Sequence, residues 1–175
     1  MEHDMNITQS RYQQILLTVF TVVLGFLAQP APAFEKEAKA LVIQFYALEK
    51  AQSYPKAAAL FSTKAKISIV WSFGSKYPEE KATLTPSQWV ELMKATDAEL
   101  AQYSKGYRET ARETKIISSR TKGSVVEIQA SVIIRFVYDG KVGKVEQDDT
   151  FIIRKINDII RLAERKSVQD LRDLL

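Results

Sequence analysis

Val125–Tyr138 reads VVEIQASVIIRFVY. Val126, Ile128, Ala130, Val132, Ile134, Phe136 and Tyr138 fall on one face of an extended chain, and Glu127, Gln129, Ser131 and Arg135 on the other. This alternation predicts a long strand with one face on a core and one in water. Asp139-Gly140 follows as a hairpin turn signal. Beyond it, residues 145–156 and 159–166 read as two further strands separated by Asn157-Asp158. Upstream, residues 115–120 supply one more. The C-terminal half is thus a meander of about four antiparallel strands.

Before residue 114 the period is helical. Ala38, Leu41, Val42, Phe45 and Leu48 recur at three and four residues, predicting a helix over 35–53. Tyr54-Pro55 breaks it, and Pro55 fits the first turn of a short second helix carrying 57–61. Residues 66–73, KISIVWSF, are β-branched and aromatic and read as a strand. Residues 74–82 are polar, hold Pro78 and read as a loop. Thr85-Pro86-Ser87-Gln88 then has the form of a capping box, with Trp89, Val90, Leu92 and Met93 forming the apolar face of a helix to about residue 101. Residues 167–175, with Val168, Leu171, Leu174 and Leu175, read as a short final helix. Helices first and strands last define an α+β fold: a curved, cone-shaped antiparallel sheet packed on about three N-terminal helices.

The first 33 residues follow a different rule. Residues 15–28, ILLTVFTVVLGFLA, carry no charge and no amphipathic stripe. As a helix they span roughly 21 Å, short of the roughly 30 Å hydrocarbon core of a bilayer. Arg11 precedes them, and Ala31-Pro32-Ala33 follows as a small-x-small cleavage site. The pattern predicts a signal peptide over 1–33, cleavage between Ala33 and Phe34, and export of a mature domain, 34–175, to the periplasm or the medium. Membrane contact is then only transient. Glu2 and Asp4 are out of place in such a leader, and initiation at Met5 would remove both.

Removing the leader takes one of 25 basic and two of 21 acidic side chains, leaving a net charge of +5 against +4 for the whole chain. It also takes His3, the single histidine; the chain has no cysteine. A mature domain without His or Cys excludes disulfides, His or Cys metal sites and Ser-His or Cys-His nucleophile pairs. No glycine-rich phosphate loop is present, so neither metal nor cofactor is expected. Acid–base chemistry would fall to Asp, Glu, Lys or Tyr. Lys105, Arg108, Arg112, Lys115, Arg120 and Lys122 form a basic cluster. Glu109 and Glu113 interrupt it, which favours a solvated sheet face over an acidic partner, and nucleic acid is not expected outside the cell.

The order of elements, the run Phe45-Tyr46-Ala47-Leu48 through Ala59-Leu60-Phe61-Ser62-Thr63-Lys64-Ala65-Lys66-Ile67, and the closing pair Phe151-Ile152-Ile153-Arg154-Lys155-Ile156 and Ile159-Ile160-Arg161-Leu162 resemble the nuclear transport factor 2-like superfamily, which includes ketosteroid isomerases and polyketide cyclases. At the last turn Asp158 and Ile159 replace the family's usual glycine and tryptophan. The resemblance implies a cone enclosing a pocket for small apolar molecules, with dimers formed through the sheet in some members. It also implies a catalytic tyrosine on the first helix and a catalytic aspartate in the first strand. Here those positions match Phe45, beside Tyr46, and Ile69. An isoleucine moves no proton, which argues against the family's isomerase chemistry.

Other candidates remain. Asp149 lies on the alternation of Val145, Gln147, Phe151 and Ile153, where an apolar pocket would turn it into a general acid or base with Tyr46. The alternative is a solvated strand end beside Lys144. Phe45, Tyr46, Trp71, Trp89 and Phe136 would line a ligand pocket or, as aromatics on apolar stripes commonly do, simply fill the core. Three functions follow. The favoured one is an exported, non-catalytic module binding a small apolar ligand or a protein. The second is an isomerase, dehydratase or cyclase using Asp and Tyr. The third is a membrane-anchored component of a secretion-type assembly.

Overall fold

The computed structural model describes residues 31–75, 77–103, 107–138 and 140–174. The apolar run 15–28, Lys105, Asp139 and Leu175 lie outside them. Helix α1 (Ala31–Lys50) buries Ala38, Val42 and Phe45 of the expected stripe, leaves Leu41 and Leu48 half-buried, and buries Tyr46 and Glu49 beside them. Gln52 turns the chain with φ +52°, and α2 (Tyr54–Ala58) follows, carrying Pro in its first turn. Strand β1 (Phe61–Ser72) begins where the sequence suggested the end of that helix.

The loop expected over 74–82 is corrected in its second half. Strand β2 (Glu80–Leu84) pairs antiparallel with β1, from Ile67 opposite Leu84 to Trp71 opposite Glu80. It is a five-residue edge strand whose only inward contacts come from half-buried Ala82 and Leu84, too weak a pattern to read. Helix α3 (Pro86–Tyr103) starts on the anticipated capping box: Gln88 N–H donates to Thr85 Oγ1 (3.3 Å) and Thr85 N–H to Gln88 Oε1 (2.9 Å).

The meander has four strands, β3 (Arg108–Lys122), β4 (Val125–Tyr138), β5 (Lys141–Ile156) and β6 (Ile159–Asp170). The sheet order is β2-β1-β6-β5-β4-β3. It is mixed rather than wholly antiparallel, because β1 lies parallel to β6. On β4 the alternation holds: Val126, Ile128, Ala130, Val132 and Phe136 are buried, and Glu127 and Gln129 exposed. It weakens at Ile134, which is half-buried like its neighbour Ile133, and fails at Tyr138, at the strand end, which is 42% exposed. Asn157 and Asp158 both take positive φ (49° and 62°), the two-residue turn whose twist matches a hairpin. The expected final helix over 167–175 is also corrected: β6 continues through Asp170, burying Ser167 and exposing Val168, and only a 3-10 turn (Arg172–Leu174) follows.

The sheet's inner face packs on the helices through aromatic rings. Phe45 sits 5.6 Å from the rings of Tyr46, Phe61, Trp89 and Phe151 alike. Gly143 is required on β5 because the Phe136 ring lies over it; an added Cβ would come within 2.5 Å of that ring.

Candidate functional site

Within this apolar interior lies a buried ionic network. Tyr46 and Glu49, three residues apart on α1, face the sheet together. Asp149 and Gln147 come from the inner face of β5, and Arg165 from β6, opposite Phe151. Tyr46 Oη donates to Asp149 Oδ2 at 2.6 Å and Gln147 Nε2 to the same oxygen at 2.7 Å. Arg165 adds Nε to Oδ1 (3.2 Å) and Nη2 to Oδ2 (3.1 Å). Its Nη1 donates to Glu49 Oε1 at 3.2 Å, and its guanidinium carbon lies 4.7 Å from the Phe45 ring centroid. The other Glu49 oxygen is 4.0 Å from Arg112 Nη1, and Arg112 is gripped by Glu109 through two hydrogen bonds.

The Asp149 side chain is 0% exposed and that of Arg165 1%. Four donors converge on this carboxylate, three of them on Oδ2 and one, Arg165 Nε, on Oδ1. Asp149 is therefore a structural acceptor that burial closes off from a substrate. Burial, reinforced by the Asp149 charge, pushes the Tyr46 phenol far above its ordinary value, so it stays a donor. Desolvation pulls the Arg165 guanidinium down, but Asp149 and Glu49 outweigh it and hold it charged. One arginine faces two carboxylates, and the second of them shows the strain: burial raises the Glu49 carboxyl above its ordinary value despite Arg165.

This sets a pH dependence. The folded state holds the Glu49 proton more tightly than the unfolded chain does. Its contribution to stability is full in acid and is lost as pH rises through the folded value. Each tenfold difference in proton affinity between the two states is worth ~1.4 kcal/mol. Glu49→Gln, which carries no titrating proton, is expected to gain thermal stability relative to the native chain between pH 4 and 7. Parallel melting curves across that range would contradict the assignment.

The sequence candidates are thus partly united. Tyr46 and Asp149 meet, and Asp149 is buried rather than a solvated strand end. Phe45, Trp89 and Phe136 are 0%, 0% and 1% exposed and packed ring on ring, Phe136 against Tyr107 at 5.4 Å. Trp71 stays half-buried at the end of β1, opposite Gln169. Ile69 faces inward at 3% exposure, between Ala82 and Ser167 in the register. Ser167 Oγ is buried with no hydrogen-bond partner among the described residues. Of the basic cluster, Arg108, Lys115, Arg120 and Lys122 are exposed along edge strand β3, and Arg112 turns inward.

Arg165 and Glu49 were not among the candidates. Glu49 carried a signal, lying four residues beyond Phe45 on the buried stripe. Arg165 carried none. Ile153 pairs with Leu162 but Ile152 with Glu164, so Ala163 is an extra residue. That bulge reverses the alternation and turns Arg165 inward.

No protein-family model and no curated protein matches the sequence. Solved structures do match in fold. A nuclear transport factor 2-like protein with a cystatin-like fold from Novosphingobium aromaticivorans aligns at 12% identity over 87% of this chain and 88% of that one, with TM-score 0.57. A ketosteroid isomerase-like protein from Erwinia carotovora atroseptica aligns at 10% identity over 75% and 92% (TM-score 0.53). The beta subunit of benzoate 1,2-dioxygenase from Burkholderia mallei aligns at 9% over 80% and 93% (TM-score 0.53). The chain has the nuclear transport factor 2-like fold, which ligand-binding and enzymatic proteins share.

Proposed function

We propose that the chain is an exported, non-catalytic binding module whose leader is removed at Ala33. The observation that carries this reading is the Asp149 carboxylate, held by four donors and sealed from solvent. A general base must lie within hydrogen-bond reach of its substrate, and this one is closed off by burial. The two described clefts are lined by neither Tyr46 nor Asp149. The 2.6 Å Tyr46–Asp149 contact favours a second reading, an isomerase, dehydratase or cyclase, in which the pair moves a proton. The outer face of the sheet, where half-buried Ile133 and Ile152 and exposed Val168 stand opposite Glu113, Glu127, Glu146, Asp148 and Glu164 in the register, is the surface for a homodimer or protein partner.

Native mass spectrometry of the protein from the exported fraction tests this. The expected result is a chain beginning at Phe34 that carries a small molecule and releases it chemically unchanged after incubation. A changed mass of the released molecule would establish turnover and the enzyme reading. A chain retaining residues 1–33 would refute export by cleavage.

A further inference from the structure

A second site lies away from the ionic network, at the tip of the β5–β6 hairpin. There a cleft of about 690 Å³ opens between that tip, the end of α2, the start of β1 and the start of α3. Its volume falls within the roughly 300–1,000 Å³ range of small-molecule sites. Phe61 and the exposed Ile156 and Ile159 make it apolar; Thr63, Ser87 and Arg161 add polar groups, and no carboxylate lines it.

Two features point to the occupant. The first is aliphatic exposure: Ile156 is 39% and Ile159 53% exposed, side by side across the turn, where a solvated hairpin tip would carry polar residues. The second is uncompensated positive charge. Arg161 Nη1 donates to the Ala59 carbonyl at 2.7 Å, which fixes the guanidinium at the cleft wall, and no described carboxylate pairs with it. Across the β5–β6 ladder its register partner is Arg154, a like-charge pairing that sheets ordinarily avoid. The segments forming the walls repeat the bias. Residues 54–65 hold two lysines and no acid, residues 84–90 no charge, and residues 153–162 two arginines and a lysine against Asp158 alone.

We infer that this cleft binds a single amphiphilic carboxylate, an apolar chain with an anionic head. The chain lies against Phe61, Ile156 and Ile159. The head is held by the free N–H groups of Arg161, with Thr63 and Ser87 hydroxyls beside it. The inference deepens the reading of the domain as a binding module and rests on it.

Decanoate is the probe, titrated into the exported protein below its micellar concentration and followed by calorimetry and amide NMR. The expected result is saturable one-to-one binding, with shifts at Phe61, Thr63, Ser87 and the Ile156–Ile159 turn. Arg161→Gln and Ile159→Ser should each weaken it at least tenfold, and Arg120→Gln, on the remote edge strand, should leave it unchanged. Both variants alter exposed or half-buried positions, and their melting curves should match the native one. Equal binding of decanol, binding of inorganic phosphate alone at the same residues, or attachment to phosphatidylglycerol vesicles without saturable decanoate binding would each overturn the inference. So would decanoate shifts confined to Trp71 and Gln169. Turnover of a bound molecule would instead refute the binding-module reading and leave the cleft standing.

Discussion

Arg165→Ala is expected to lower the melting temperature of the domain by about 10–20 °C. The substitution removes a 1%-exposed guanidinium and leaves the Asp149 and Glu49 carboxylates buried without their cation. Breaking a buried pair in this way costs ~3–5 kcal/mol, and in a domain of this size ~1 kcal/mol moves the melting point by roughly 3–4 °C. The loss comes from the stranded carboxylates rather than from the net worth of the pair. The double variant Arg165→Leu/Asp149→Leu should therefore cost less than the two single variants summed, by ~1–3 kcal/mol of coupling. Circular dichroism melting of the native chain, Arg165→Ala, the two leucine variants and their double measures this. A drop under about 3 °C for Arg165→Ala would mean that water reaches the guanidinium, and additivity would mean that the two side chains do not meet.

The second large effect belongs to Phe45. Its ring is 0% exposed and forms the hub of the aromatic core, with four rings at 5.6 Å and the Arg165 guanidinium stacked 4.7 Å away. Phe45→Ala removes the buried area, opens a cavity and unseats the cation, and should cost ~3–5 kcal/mol. Phe45→Leu keeps most of the volume and should cost about 1–2 kcal/mol. Denaturant unfolding reads both as a lower midpoint at unchanged slope. If Phe45 instead lined a hollow ligand space, truncation would lose little stability, and a cost below ~1 kcal/mol for Phe45→Ala would show that.

Much of this architecture was legible in the chain. The period-two run of β4, the capping box at Thr85 and Gln88 and the helical stripe of α1 are local signals, and each produced its element. What failed was short or irregular. Strand β2 has five residues and only half-buried inward positions. The tail alternates weakly, so its apolar spacing was compatible with a helix until pairing with β1 and β5 drew it into the sheet. The site was half legible for the same reason. Asp149 stood out because a carboxylate interrupts an apolar alternation. Its partners arrive from 103 residues away on α1 and from beyond a bulge on β6, and no local pattern reports either.

The central claim, that the Tyr46–Asp149–Arg165–Glu49 network is sealed within the domain, is tested most directly by hydrogen exchange at the Arg165 side chain. Nitrogen-15 NMR separates arginine Nε–H protons, and Arg172, with its side chain 64% exposed, provides an internal reference. The network predicts that the Arg165 Nε proton persists in deuterated buffer far longer than that of Arg172, exchanging only when the domain opens. Loss of both signals at the same rate would place water, and room for a substrate, beside Asp149 and would contradict the claim.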